Sequence, residues 1–305
     1  MRFAISIPQF FADGEFDAAG FAGHLRRIEE LGFDSAWTQE QVLGTMPQLS
    51  PIETMTFAAA CTDRLRLGCA VLVTTLHNPV HLAKSLSTLD QMSRGRLEIG
   101  VGTGGRGRMF AAFGVEPERF VGRFTEGLEL MKQLWTRPRV TFDGRFWQLE
   151  DAAMEPKPFQ KPHPPIWFGG NSPAALRRAV RHGNGFFGAG SSPTERFADQ
   201  VRTVAAALAE QERDPADFPI AKRVYIAVDD SPERGRARMN TELERLYGRR
   251  SETIEAAAVV GTPEECEREL SEVAAAGAQR ILLSPMFDHA EQTERLAAEV
   301  LPRLG

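Results

Sequence analysis

Residues 67–105 read Leu67-Gly-Cys-Ala-Val-Leu-Val73, Thr74-Thr-Leu-His-Asn78, a segment opened by Pro79, Ser93-Arg-Gly-Arg96, Leu97-Glu-Ile-Gly-Val-Gly102 and Thr103-Gly-Gly105. The two apolar runs are short enough for strands, and Leu82, Leu86 and Leu89 fall at helical spacing between them. Pro79 supplies the helix start and Gly95 its C-terminal cap. Two short strands joined by a helical crossover must lie parallel and buried on both faces, so the loops at their C-terminal ends open to one side. Those loops, Thr74 to Asn78 and Thr103 to Arg108, are polar, and the second is rich in glycine.

Outward from this unit the same rhythm repeats. Phe3 to Ile7 is an apolar run ended by Pro8, and Phe21, Leu25, Ile28 and Leu31 mark one face of a helix closed by Gly32. Ser35 to Thr38 predicts a second strand, and Ser50-Pro-Ile-Glu53 a helix start with serine as cap and glutamate at the third position. Further strands are predicted at Ile166 to Phe168, Phe186 to Gly188, Val224 to Val228 and Ile281 to Leu283. Arg139 to Leu149 alternates around an Asp143-Gly144 turn and predicts an inserted β-hairpin. The five prolines from Met154 to Pro165 require an extended connection, and the charged stretch Glu242 to Glu255 reads as a mobile or partner-covered excursion. Eight strands, each followed by a helix, predict an α/β fold of the (β/α)8 TIM-barrel type, one domain over residues 1–305. The active site of such a barrel lies at the C-terminal strand ends, whatever its chemistry.

The totals narrow the class. At 42 % apolar and 25 % charged residues, the composition is that of an ordinary soluble globular chain. A net charge of -5 gives no electrostatic reason to expect nucleic acid or an anionic membrane, and no run approaches the roughly 20 apolar residues of a membrane span. Cys61, Cys69 and Cys266 show no metal-ligand spacing and no disulfide framework. Met1 to Pro8 is too short and too soon broken by proline for a signal peptide, which makes a cytoplasmic location the expectation.

Val80-His-Leu-Ala-Lys-Ser-Leu-Ser-Thr-Leu-Asp90, Ser93-Arg-Gly-Arg-Leu97 and Gly100-Val-Gly-Thr-Gly104 together resemble the luciferase-like family of flavin and deazaflavin oxidoreductases, which includes enzymes using coenzyme F420. The resemblance runs from Phe3 to about Leu283. It implies a non-proline cis peptide on the third strand beneath the cofactor ring, which falls at Ala70-Val71, and a homodimer formed through helices beside the second and third strands. It also implies an acidic residue and a histidine at the end of the second strand, and in some relatives a glutamate after the fourth. Those positions hold Glu40, Gln41 and Gly105 here, so the histidine's acid or base chemistry has no carrier at that place.

The predicted mouth offers glycines and backbone donors with few carboxylates, a rim that suits a flat phosphorylated cofactor better than a divalent metal. Backbone amides at Gly169-Gly170-Asn171 and Gly188-Ala189-Gly190 are the expected phosphate contacts, although such glycines also serve tight turns. Thr103 and Arg106 join Ala70 and Val71 as expected cofactor contacts, and Arg108 is a second arginine in that loop. His77, Glu40 and Gln41 are the catalytic candidates; a solvated loop histidine is the plain alternative for His77. Trp37, Phe10 and Phe11 would border the ring or pack in the core. The leading expectation is F420-dependent hydride transfer with a small organic substrate. An FMN-dependent monooxygenase, a non-catalytic flavin-binding barrel and a metal-dependent hydrolase stay open as alternatives, the last short of ligands.

Overall fold

The computed structural model describes residues 1–11, 15–44, 46–104 and 109–304. The chain opens with β1 (Arg2–Ser6), α1 (Ala18–Glu30), β2 (Ser35–Thr38) and α2 (Pro51–Cys61). It continues through β3 (Arg66–Val73), α3 (Pro79–Met92) and β4 (Leu97–Gly102). The helices α4 (Met109–Ala112) and α5 (Phe120–Thr136) lead to a hairpin, β5 (Val140–Asp143) and β6 (Gln148–Ala152). Next come β7 (Ile166–Gly169), α6 (Pro173–His182), β8 (Gly185–Gly188), α7 (Thr194–Glu210) and β9 (Ile220–Val228). The chain continues with α8 (Pro232–Tyr247), α9 (Glu252–Ala256), β10 (Val259–Gly261), α10 (Pro263–Ala275), β11 (Arg280–Pro285) and α11 (His289–Arg295), which runs on through a π-helical turn (Leu296–Val300) and a 3-10 turn (Leu301–Arg303).

Strands β1, β2, β3, β4, β7, β8, β9 and β11 pair in that order, all parallel, and β11 returns to β1 to close the ring. This is a (β/α)8 barrel, and its eight strands fall where the apolar runs predict them. The sequence reading missed β10, three residues that extend the sheet along the C-terminal end of β9. Its shortness explains the miss, since Val259-Val-Gly261 carries no periodicity. No helix among the described residues is long and apolar enough to cross a membrane.

Local chemistry places the helices. Asn78 caps α3 by accepting from the amides of Val80 and His81, with Pro79 at the first helical position. Thr262 and Glu265 form a complete capping box on α10. At α2 Ser50 is the N-cap residue, as predicted, but its hydroxyl donates to the Glu53 carboxylate instead of accepting from a backbone amide. The stretch Glu242 to Glu255 also needs correction. It is no irregular excursion but the end of α8 and the start of α9, with Leu243 and Ile254 buried. Its many charges lie on the outer faces of these helices and mask the apolar spacing beneath.

Besides a cluster where β9 and β10 meet α8 and α9, two cores follow from the ring. The larger lies between barrel and helices, where Leu82, Leu86 and Leu89 of α3 and Phe124, Leu128 and Met131 of α5 are buried. The smaller gathers Ala4, Trp37, Trp167, Phe187, Ala221 and Leu282 from six different strands, which meet only inside the barrel. Trp37 therefore packs the interior, its ring 4.9 Å from that of Phe187.

Beside this apolar cluster the barrel holds an ion group. Glu98 accepts from Arg66 Nε at 2.5 Å, Arg280 Nη1 at 2.6 Å and Trp167 Nε1 at 2.7 Å. Burial pushes its carboxyl pKa up, and the charges and hydrogen bonds of Arg280 and Arg66 outweigh that, leaving it below the usual carboxylate range. The stabilisation is therefore present above the ordinary carboxylate pKa and is lost as pH falls through the depressed one. Glu98→Gln leaves the buried Arg280 with Asp34 as its one remaining carboxylate and the half-buried Arg66 with none among the described residues, and should cost about 3 kcal/mol. Urea unfolding at neutral pH measures this, and the deficit should shrink on acidification.

Candidate active site

The site begins where β3 and β4 fall out of step. Cys69 pairs with Ile99 and Leu72 with Val101, so Ala70 and Val71 together face Gly100. The peptide between Ala70 and Val71 is cis, at the position the family resemblance implied. A side chain at Gly100 would put its Cβ 1.9 Å from the Cys69 carbonyl oxygen, so glycine alone permits this approach. The Val71 side chain occupies space left by two further glycines: a Cβ at Gly102 would lie 2.6 Å from it, and one at Gly169 2.9 Å.

Ala70 and Val71 form part of the lining of a cavity of about 420 Å³ at the C-terminal ends of the strands. Thr103, Gly169, Gly170, Asn171, Gly188, Ala189 and Gly190 all line it, so the expected cofactor contacts on three separate loops converge on one space. Phe124, Phe168 and Phe187 give it apolar walls. Arg106, with Gly105 and Arg108, lies outside the described residues.

Polar bonds fix the glycine loops from behind. Asn171 Oδ1 accepts from Gln200 Nε2 of α7 at 3.1 Å. Lys222 Nζ donates to the carbonyls of Ala189 at 2.5 Å and Arg223 at 2.9 Å. Burial, and then the Arg223 charge, pull the Lys222 pKa down to about 7.

Four lining residues carried no signal in the sequence. Arg178 stands on the second turn of α6; burial lowers its pKa, and it has no carboxylate partner among the described residues. Arg223 and Tyr225 project from alternate positions of β9, and Tyr247 reaches in from the end of α8 to hydrogen-bond Tyr225, hydroxyl to hydroxyl at 2.8 Å. Period-two spacing on β9 was visible, but a strand buried on both faces does not reveal which face is the lumen.

The catalytic candidates lie elsewhere. Glu40 Oε1 pairs with His77 Nε2 at 2.7 Å, and Glu40 Oε2 accepts from the Val73 amide at 2.5 Å. Both face a separate depression that they share with Glu53 and His81. Glu40 thereby ties the end of β3, just past the Ala70-Val71 bulge, to the loop that follows. Gln41 is half-buried and lines neither space. Phe10 lines a smaller chamber beside the main cavity, and Phe11 packs on Phe16 at 6.0 Å. Among the described residues no three His, Cys, Asp or Glu side chains gather as metal ligands.

Comparison with known proteins places this geometry. An F420-dependent glucose-6-phosphate dehydrogenase of Intrasporangium calvum is 30 % identical over 266 residues, covering 83 % of this chain and 77 % of that protein. The uncharacterised protein y4vJ of Sinorhizobium fredii is 33 % identical over 160 residues, 52 % of this chain and 46 % of its own. Among solved structures, the monooxygenase RslO1 of Streptomyces bottropensis superposes over 100 % of both chains with a TM-score of 0.85 and 26 % identity. An F420-dependent secondary alcohol dehydrogenase bound to an F420-acetone adduct also reaches 0.85, at 18 % identity over 100 % of this chain and 99 % of that one, a likeness of fold. The family model for luciferase-like monooxygenases matches residues 1–250, and this chain belongs to that family.

Proposed function

We propose that this protein is a flavin or deazaflavin oxidoreductase, that its cofactor is F420, and that it transfers hydride to or from a small organic substrate. The observation that carries the reading is the glycine-framed cavity standing on the Ala70-Val71 bulge. A planar ring would fit between Val71 and the phenylalanine walls because the Val71 side chain is tucked into the space that Gly102 and Gly169 leave. The phosphoryl tail fits the amides of Gly169-Gly170-Asn171 and Gly188-Ala189-Gly190, with Arg178 as the nearby cation. A Cβ at Gly170 would stand 2.8 Å from that of Ala175, and one at Gly190 2.8 Å from the Tyr225 ring, so both openings rest on glycine. FMN is the second reading, favoured by the similarity to the monooxygenase RslO1.

The bound cofactor supplies the two-electron chemistry, and the protein supplies position. Lys222 pins the Ala189 carbonyl and so holds the phosphate loop. Glu40 anchors the Val73 amide and, with it, the strand end under the ring, while His77 shares that carboxylate. We assign Glu40 and His77 this supporting role because they face the neighbouring depression, and we assign Gln41 none. Tyr225 and Tyr247 close the cavity on the side of α8. The whole chain, 1–305, would act as one catalytic domain, and three free cysteines suit the reducing cytoplasm.

We also propose a homodimer. Exposed Val42 and Leu43 after β2, Phe57 on α2 and Phe16 before α1 offer apolar surface beside the second and third strands. Sedimentation equilibrium should give twice the 33.7 kDa chain mass; a monomer at micromolar concentration contradicts this.

Titrating the purified protein with F420 and, separately, with FMN while following fluorescence decides between cofactors. Saturable quenching by F420 at one per chain is expected, and quenching by neither overturns the proposal. Arg178→Ala removes a charged hydrogen-bond donor worth about 1.5–3 kcal/mol, so cofactor affinity should fall about ten- to a hundredfold.

A further inference from the structure

Beside the cofactor cavity lies a second, smaller chamber between the C-terminal ends of β1, β2, β9 and β11. The two spaces share Arg223 and Tyr225. Its volume is about 50 Å³. Since roughly 10–15 Å³ of such space holds one water, it admits a head group of three or four heavy atoms.

Arg223 sets the chemistry of this chamber. Its residue is 8 % exposed, Nη1 donates to Gln39 Oε1 at 2.9 Å, and the Tyr225 hydroxyl stands beside it. Nε has no partner, and no carboxylate of the described residues pairs with the guanidinium. The contrast with Arg280, deeper in the same barrel, is direct: that side chain meets Glu98 and Asp34. A buried cation without a counter-charge is costly, and the cost is offset when a ligand supplies the charge.

A second polar atom points to the same ligand. Ser284 is 3 % exposed, lines the chamber, and its Oγ has no partner. It sits on β11 opposite Tyr225 of β9, while Arg223 is opposite Leu282 two residues earlier, so the hydroxyl stands one step above the guanidinium. His289 Nδ1, on the chamber wall, is also unpartnered; burial, with the nearby His24, pulls its pKa down to about 4, so it is a neutral donor or acceptor at pH 7. Glu242 is the one carboxylate among the lining residues described, and it pairs with Arg245 at 3.7 Å. Ile7, Pro8, Phe10, Trp37 and Met286 give the chamber an apolar side, and Ser6, Gln9 and Gln39 complete a mixed wall.

We infer that this chamber is the head-group pocket for the carboxylate of a small organic acid, held by Arg223 and Ser284, whose reacting carbon projects past Tyr225 into the cofactor cavity. A planar carboxylate matches both the volume and the fork of a guanidinium edge. The inference rests on the cofactor reading for the word substrate, but the anion pocket itself does not require it.

Calorimetric titration of the full chain with acetate, acetamide and sulfate at matched ionic strength tests the pocket, with F420 and FMN titrated in parallel. Acetate should bind saturably and at least about tenfold more tightly than acetamide. Arg223→Gln should lose at least about tenfold in acetate affinity, a larger loss than any in cofactor affinity, and Arg223→Lys should recover part of it. Ser284→Ala should give a smaller loss in a protein that folds and binds cofactor as before. Equal affinity for acetate and acetamide overturns the inference, as does sulfate binding as tightly as acetate. Loss of cofactor binding in folded Arg223→Gln, with acetate binding unchanged, also overturns it and gives the arginine to the cofactor. Arg223-dependent acetate binding in a chain that takes neither cofactor upholds the pocket and removes the oxidoreductase reading.

Discussion

The close approach of β3 to β4 governs the upper half of this barrel. Because Gly100 lacks a Cβ, the Cys69 carbonyl moves into the space a side chain would fill, and β3 takes one more residue than its neighbour across the bulge. The bulge redirects Val71 toward Gly102 and Gly169, which lie on the two strands that follow. Three glycines on two strands thus accommodate one displaced dipeptide, and that dipeptide forms part of the floor of the 420 Å³ cavity. A substituent at any of the three would lift the floor or close the space above it.

What stands on the floor follows from charge and burial. The lower interior is neutralised internally, with Glu98 between Arg66 and Arg280. The upper interior is not: Arg178 and Arg223 border the cavity without carboxylate partners among the described residues, and Lys222 is spent on carbonyls. A barrel closed with paired charges at one end and unmatched cations at the other is arranged to receive anions at its open end. Phosphate on one side and a smaller acid on the other would satisfy this asymmetry.

Much of this was legible in the residues, for reasons that can be named. The strands are short apolar runs between helices with proline at their first turn, and Pro79, Pro173 and Pro263 each open a helix in the structure. The glycine pairs at 169–170 and 188–190 stand at strand ends, and all line the cavity. The Ala70-Val71 peptide was legible only through resemblance, because nothing in its composition distinguishes it from an ordinary buried strand. Arg178, Arg223, Tyr225 and Tyr247 were missed because their roles depend on which face of a helix or strand turns inward. Glu40 and His77 were singled out, yet their partnership needed the Val73 turn to bring residues 37 apart within 2.7 Å. The charges between Glu242 and Glu255 hid a helix whose buried face holds Leu243.

The account stands or falls on what occupies the space above Ala70 and Val71. A crystal structure of the protein saturated with F420 measures this directly. The account predicts the ring against Ala70-Val71, between the phenylalanine walls, with the phosphoryl group on the amides of residues 169–171 and 188–190. A ring bound away from that bulge, or a phosphoryl group held outside the glycine loops, would contradict it.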